Sequence, residues 1–256
     1  MSYLDAIILG IVEGITEFLP VSSTGHLILA SRVLNIPQTD FVKSFEIAIQ
    51  FGAIIAVLVL YGHMLITHRQ VFTRVAVAFV PTAIIGLLLH GFVKQYLIGS
   101  ERITLWALLL GGIALIIFEY WHTERHDAHD DLAHIPYKTA ALIGVFQSIA
   151  LVPGVSRSGA TIIGGLLLGM RRTAIVEFSF LLAIPTMAAA TALDMWKSAG
   201  SFTGGEFGLL AAGFLAAAVT AFAAVRWFLQ YIRTHSFVPF GVYRIVLALI
   251  FFAFFL

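Results

Sequence analysis

Apolar residues dominate this chain in long runs, and the few polar positions gather where the runs end. Crossing a bilayer takes about 20 residues of helix at 1.5 Å each. Runs approaching that length cover residues 45–62, 75–95, 103–121, 174–195, 207–230 and 239–256. Each predicts a transmembrane helix. Two further apolar regions, about residues 5–34 and 140–170, are interrupted by P-V-S-S-T-G and by P-G-V-S-R-S-G. Their halves hold roughly 10–15 residues, too few to cross. They predict helix–loop–helix hairpins that return to the side they came from. A bilayer tolerates such a break only where protein or a water-filled cavity satisfies the backbone. Nothing alternates in the way a transmembrane β-barrel requires. The expected fold class is an all-α polytopic membrane protein with six transmembrane helices plus two re-entrant hairpins.

The two interrupted regions are related. G-I-V-E-G-I-T-E-F-L-P-V-S-S-T-G-H-L-I lies over G-V-F-Q-S-I-A-L-V-P-G-V-S-R-S-G-A-T-I without a gap, with Gly10 on Gly144, Ile15 on Ile149, Val21 on Val155, Ser22 on Ser156, Gly25 on Gly159 and Ile28 on Ile162. This predicts one integral membrane domain, residues 1–256, built from two units: about 1–121 and 138–256, joined by a loop at 122–137. Each unit is a hairpin plus three spans. An odd number of spans inverts the second copy, so the hairpins enter from opposite faces and their tips can meet near the midplane.

Charge orients the bundle. The side opposite both termini carries Arg69, Arg74, Arg125, Lys138, Arg171, Arg172, Arg226 and Arg233, against Arg32, Lys43, Lys94, Arg102 and Lys197 on the side of the termini. The bias predicts the first side in the cytoplasm and both termini outside. Composition agrees with a membrane protein. Hydrophobic residues make up 60% and charged ones 11%, and mean hydropathy is +0.97, where a soluble domain has about 25% charged residues. A net charge of +1 gives no sign of a nucleic-acid partner. The absence of cysteine excludes disulfides, thiolate metal sites and a cysteine nucleophile. M-S-Y-L-D at the start lacks a basic stretch, so no cleaved signal peptide is expected.

Against this background the polar residues of the interruptions stand out. Glu13 and Glu17 share one helical face, where a charge costs at least ~2.5–3.5 kcal/mol to insert. Two carboxylates so placed fit a divalent metal or general acid–base work; a protonated pair that only packs helices is the plain alternative. Ser22, Ser23 and Thr24 precede a helix starting near Gly25, with His26 in its first turn. Ser156, Arg157 and Ser158 precede Gly159 in the same way. Helix N-termini bind anions, glycine lets a ligand approach, and arginine makes forked contacts to phosphate. The plain alternative is that the hydroxyls cap helices and Arg157 pairs with Glu17. Gln147 takes the repeat position of Glu13 and is a further candidate to line the pocket. Together these residues predict a site for phosphate or pyrophosphate with a metal, reached from the lipid by a substrate with a hydrocarbon tail.

Other polar residues point less sharply. Glu46 and Glu177 open spans and predict ties between helix ends and hairpins. Arg244, early in the last span, predicts snorkelling or an internal salt bridge. The loop H-T-E-R-H-D-A-H-D-D-L-A-H, residues 122–134, has irregular spacing for a metal site and predicts a solvated loop.

At E-G-I-T-E-F-L-P-V-S-S-T-G-H and P-G-V-S-R-S-G-A-T, and along F-E-I-A-I-Q, E-F-S-F-L-L-A-I-P and F-V-P-F-G-V-Y-R, the sequence closely resembles the undecaprenyl-pyrophosphate phosphatase family, also called bacitracin-resistance protein BacA. The likeness covers nearly the whole chain. It implies a bacterial cytoplasmic (inner) membrane enzyme that removes one phosphate from undecaprenyl pyrophosphate and so regenerates the carrier lipid of cell-wall synthesis. It also implies a divalent cation, Mg²⁺ or Ca²⁺, and a site facing the periplasmic or outer side. Carried over, the family's motifs fall on Glu13 and Glu17, on Ser22, Ser23, Thr24 and His26, and on Ser156 and Arg157. The expected catalytic residues are Glu17, Ser23 as nucleophile, His26 as base or acid, and Arg157. Glu13 and Glu17 are the expected metal ligands, and Ser22, Thr24, Gly25, Ser156, Ser158, Gly159 and Gln147 the expected substrate-binding residues. Direct attack by water is the rival to a serine nucleophile. The alternative function is a polyprenyl-phosphate flippase using the same pocket, because inverted repeats with broken helices are transporter architecture. Self-association stays open.

Overall fold

The computed structural model describes residues 1–97, 100–124, 128–197 and 204–255. Arg125, His126 and Asp127 of the histidine-rich loop, and residue 256 of the last expected span, lie outside them. The described residues form helices α1 (Tyr3–Thr16), α2 (Ser23–Val33), α3 (Asp40–Thr67), α4 (Arg69–Phe92), α5 (Glu101–Trp121), α6 (Tyr137–Gln147), α7 (Arg157–Leu167), α8 (Arg172–Lys197), α9 (Gly204–Tyr231) and α10 (Val238–Phe255). A π-helical turn, Val93–Leu97, ends α4, and a 3₁₀ turn, Ser148–Leu151, ends α6.

Five helices, α3, α4, α5, α8 and α9, are long and apolar enough to cross a membrane. The chain is therefore an all-helical, multi-pass membrane protein. Helix α10, expected as the sixth span, has 18 residues and is slightly short of that measure. The spans outrun the apolar windows. Helix α3 starts at Asp40 rather than near 45, because Thr39 caps it by accepting from the Val42 N–H at 3.3 Å. Leu87, Leu88 and Trp121 are exposed, which suits side chains that face lipid.

Each interruption divides two short helices, α1 from α2 and α6 from α7; α7 repeats α2 residue for residue, whereas α6, with 11 residues, stops short of α1, with 14. Ser22 caps α2 through the Gly25 N–H (3.4 Å) and Ser156 caps α7 through the Gly159 N–H (3.0 Å). Both helices end on a left-handed residue, Asn35 (φ 53°) and Gly169 (φ 83°). Both then close with the next N–H reaching back, Ile36 to the Ser31 carbonyl and Met170 to the Gly165 carbonyl, each at 2.9 Å.

Packing follows the same pairing. Helix α1 lies on α9 and α6 on α4; α3 lies on α9 and α8 on α4; α3 and α8 pack together, as do α5 and α10. The repeated glycine explains the closest of these approaches. A Cβ on Gly10 would run into the Gly213 carbonyl of α9, and one on Gly144 into the Ala78 carbonyl of α4. The main core lies between the two halves. In it Phe18, just before the first tip, meets Phe180 edge-on at 5.2 Å, and Phe180 continues to Phe228.

The histidine-rich loop is tied down. Arg171 pairs with Asp130 (3.2 Å) and Glu124 (3.5 Å), and His129 exchanges backbone bonds with Gly169 and Arg171. A bond from the His134 ring, then one from the Ala133 N–H, holds Asp131 below the usual carboxylate range. Among the described residues no group of three His, Cys, Asp or Glu side chains is placed to hold a metal.

Candidate active site

The two tips meet. The Leu19 carbonyl accepts the Val21 N–H within its own tip (2.8 Å) and also accepts from Ser158 Oγ (2.7 Å) and Ser156 Oγ (3.4 Å), so the second tip is bonded to the backbone of the first. Glu17 lies where they touch, with its side chain 2% exposed. One oxygen, Oε1, accepts from Arg157 Nε at 3.2 Å across the junction, and Oε2 accepts from Ser23 Oγ at 2.5 Å within the first tip. A single carboxylate thus joins the arginine of one hairpin to a hydroxyl of the other.

Arg157 is held on three sides. Its Nη1 donates to the Ser179 carbonyl of α8 at 2.8 Å, and its guanidinium lies 5.9 Å from the centre of the Phe18 ring. Its Nη2 is buried and has no hydrogen-bonding partner among the described residues. The oxygens of Glu13, one turn before Glu17, accept no hydrogen bond among the described residues, and the Glu17 carboxylate is the neighbour to which a protonated Glu13 bonds. Buried polar groups are paired as a rule, and an unpaired one costs about 1–3 kcal/mol, more if charged. The guanidinium Nη2 and the Glu13 carboxyl thus lie in one neighbourhood without a hydrogen bond to any of the described residues except what a proton shared with Glu17 would give.

His26 is fixed at both nitrogens. Nδ1 lies 2.8 Å from the Ser22 carbonyl and Nε2 lies 2.7 Å from the Tyr243 hydroxyl of α10. A carbonyl only accepts, so Nδ1 carries hydrogen and, in the neutral ring, Nε2 accepts from the tyrosine. The rings also stack, with centroids 5.4 Å apart. This arrangement depends on Ser22 having φ 71°. That conformation costs a non-glycine residue of order 1–3 kcal/mol and gathers at functional sites.

The structure therefore brings Glu17, Ser23, His26 and Arg157 to the junction. The hydroxyls of Ser22, Ser156 and Ser158 serve caps and the tip-to-tip contact, and the Gly25 and Gly159 N–H groups serve the caps. Thr24 is exposed at the start of α2. Gln147 ends α6, and its Oε1 is buried with no hydrogen-bonding partner among the described residues. Its amide donates to Thr82 (3.0 Å) and Thr186 (3.1 Å), each directly after the proline that interrupts its helix. Glu46 accepts from Ser31 at 2.9 Å, tying α3 to α2 as expected. Tyr243 is absent from the sequence-based candidates, and Arg244 differs from its expected role. Tyr243 sits in an apolar helix 217 positions from His26, and only the polar pair Y-R hinted at it. Arg244 neither snorkels nor forms a salt bridge among the described residues; it donates to four backbone carbonyls.

Comparison with known proteins decides the family. Residues 6–250 match the model of bacitracin resistance protein BacA. The chain belongs to that family. It is 52% identical, over all of both chains, to an undecaprenyl-diphosphatase of Aquifex aeolicus. It is 50% identical to that of Persephonella marina, with 99% of each chain covered. The Thermus thermophilus protein of the same description is 49% identical over 100% of this chain and 98% of its own. Membership, with the apolar helices, places this BacA-family chain among multi-pass proteins of the bacterial inner membrane.

Proposed function

We propose that this protein is an undecaprenyl-diphosphate phosphatase, releasing phosphate from polyprenyl pyrophosphate and leaving the monophosphate carrier lipid. The observation that carries the reading is Glu17, bonded at once to the Ser23 hydroxyl and to Arg157 of the opposite tip. Phosphoryl transfer needs a positioned nucleophile, a proton acceptor and positive charge at the transferred group. Ser23 Oγ attacks the terminal phosphorus and its proton passes to Glu17 Oε2. The bond from that phosphorus to the bridging oxygen breaks, and the polyprenyl monophosphate leaves. Water then attacks the phosphoserine; the bond from phosphorus to Ser23 Oγ breaks, inorganic phosphate leaves, and Oγ takes back the proton held on Glu17. Arg157 offers Nη2 to the phosphate oxygens. Both nitrogens of His26 face away from Ser23, toward Ser22 and Tyr243, so Glu17 is the serine's base. His26, held by the Ser22 carbonyl and the Tyr243 hydroxyl, ties the first turn of α2 to α10.

The residues present fit a divalent cation. Glu13, buried beside Glu17 one turn away, needs a proton or a cation to balance the charge of the pair. Two carboxylates with substrate phosphate oxygens suit Mg²⁺, which binds through few protein ligands; Ca²⁺ is the other candidate. Held by Glu13 and Glu17, the ion would neutralise charge on the pyrophosphate.

The paired contacts and caps of the two halves support six spans with two re-entrant hairpins in inverted repeat, units 1–121 and 138–256, and tips meeting within the bilayer. The loop charges support termini outside and a site open to the periplasmic side. The same architecture favours, as second reading, a flippase for polyprenyl phosphate. Purified protein in detergent separates them. Farnesyl or undecaprenyl pyrophosphate should release phosphate when Mg²⁺ or Ca²⁺ is present and not when it is chelated. A folded, lipid-supplemented protein that releases none would overturn the enzyme and leave transport between two compartments to be measured.

A further inference from the structure

Arg244 is buried in α10, 3% exposed, and no carboxylate pairs with it among the described residues. Burying an unpaired guanidinium is costly, and this one is offset entirely by carbonyl dipoles. Nη1 donates to the Pro20 carbonyl of the first tip at 3.2 Å. Nη2 donates to the Gly154 carbonyl of the second tip at 2.9 Å and to the Ala107 carbonyl of α5 at 3.0 Å. Nε donates to the Leu108 carbonyl at 3.3 Å. One planar fork therefore spans both tips and the helix behind them. Four carbonyls in fixed directions match the donors of arginine; the three donors of a lysine ammonium cannot reach them all.

The surroundings are shaped to admit the fork. A Cβ on Gly111 of α5 would collide with Arg244 Nη2, and one on Gly112 would meet the Gly241 carbonyl of α10. Gly154 holds φ +91° and passes so close to the Thr104 carbonyl that no side chain fits there. Glycines on three elements keep this socket open. The neighbouring Tyr243 reaches His26, so one turn of α10 touches both the histidine and the backbone that carries the site.

The geometry points to Arg244 as a positioning residue: its guanidinium clasps the two tips in the one register that brings Arg157 to Glu17 and Ser23. Its bearing on catalysis rests on the phosphatase reading; its bearing on tip geometry does not. The two are tested separately. The chain has no cysteine, and a Cβ at Gly159 would lie 3.6 Å from Pro20 Cβ, inside the range of about 3.5–4.5 Å for a disulfide. With Pro20→Cys and Gly159→Cys, mild oxidation of the purified protein should cross-link the tips quickly, followed by intact mass. Adding Arg244→Ala should slow cross-linking several-fold, and Arg244→Lys and Gly111→Ala should slow it less. In the cysteine-free protein, Arg244→Ala should lower kcat by about 10²-fold, as a displacement near 1 Å can, with KM little changed and Arg244→Lys restoring part. If Arg244→Ala does not fold, the lysine and Gly111 variants carry both measurements. Cross-linking that proceeds at the same rate in the folded variants overturns the clasp, whatever the activity. A rise in KM with unchanged cross-linking also overturns it, because Arg244 would then be holding substrate.

Discussion

The two hairpin tips share their helix caps and close packing and divide the chemistry. Ser22 and Ser156 cap their helices alike, Gly10 and Gly144 permit the same close packing, and Asn35 and Gly169 end both second helices in the left-handed conformation. At the positions between them the residues part company. Glu17 faces Leu151 in the repeat, Ser23 faces Arg157, and His26 faces Ala160. One tip supplies acid, hydroxyl and imidazole; the other supplies the guanidinium. Neither is a site alone. The junction brings two helix N-termini together, and on the proposed reading divergence at a few positions makes it an asymmetric centre with an attacking group and a charge clamp.

The comparison can be broken most severely at Arg157. Arg157→Ala removes the second tip's charge and leaves Glu17 partly unpaired. Phosphate release should fall by at least about 10²–10³-fold, the loss typical of one transition-state donor, measured by released phosphate at saturating substrate. Next comes Ser23→Ala on the first tip. It should abolish the phosphoserine that acid quenching of the wild-type protein traps on residue 23; its repeated absence in wild type would favour direct attack by water. A smaller effect belongs to Tyr243→Phe. Losing one neutral hydrogen bond is worth about 0.5–1.5 kcal/mol, so kcat should drop by up to about tenfold with folding intact by thermal melt. The smallest effect on turnover tests the repeat itself. Gln147 stands where Glu13 stands in the other half, yet it bonds to Thr82 and Thr186. Gln147→Ala should lower unfolding stability by about 1 kcal/mol and disturb kcat/KM least; a marked rise in KM would bring Gln147 into the pocket.

Much of this was legible in the chain. Helices α2 and α7 begin where the Ser-Ser-Thr-Gly and Ser-Arg-Ser-Gly stretches place them, because hydroxyls before glycine cap a helix whatever surrounds it. The pairing of Arg157 with Glu17 was the plain alternative to an anion site, and the structure holds it with one guanidinium nitrogen still unpartnered. Tyr243 and the partners of Arg244 were hidden for a physical reason. Their partners are far along the chain, and four of the atoms Arg244 meets are backbone carbonyls, which every residue has and no motif records. Span ends were read short because capping residues such as Thr39 extend a helix beyond its apolar stretch.

The central claim is that the two tips form one site through Glu17 and Arg157. A double-mutant cycle in phosphate release tests it most directly, with Glu17→Gln, Arg157→Ala and both together in proteins of verified fold. Residues acting as a unit are non-additive. The account predicts that the double variant is scarcely slower than the worse single one. Losses that multiply would show that Glu17 and Arg157 act independently, and would contradict a single site built across the two tips.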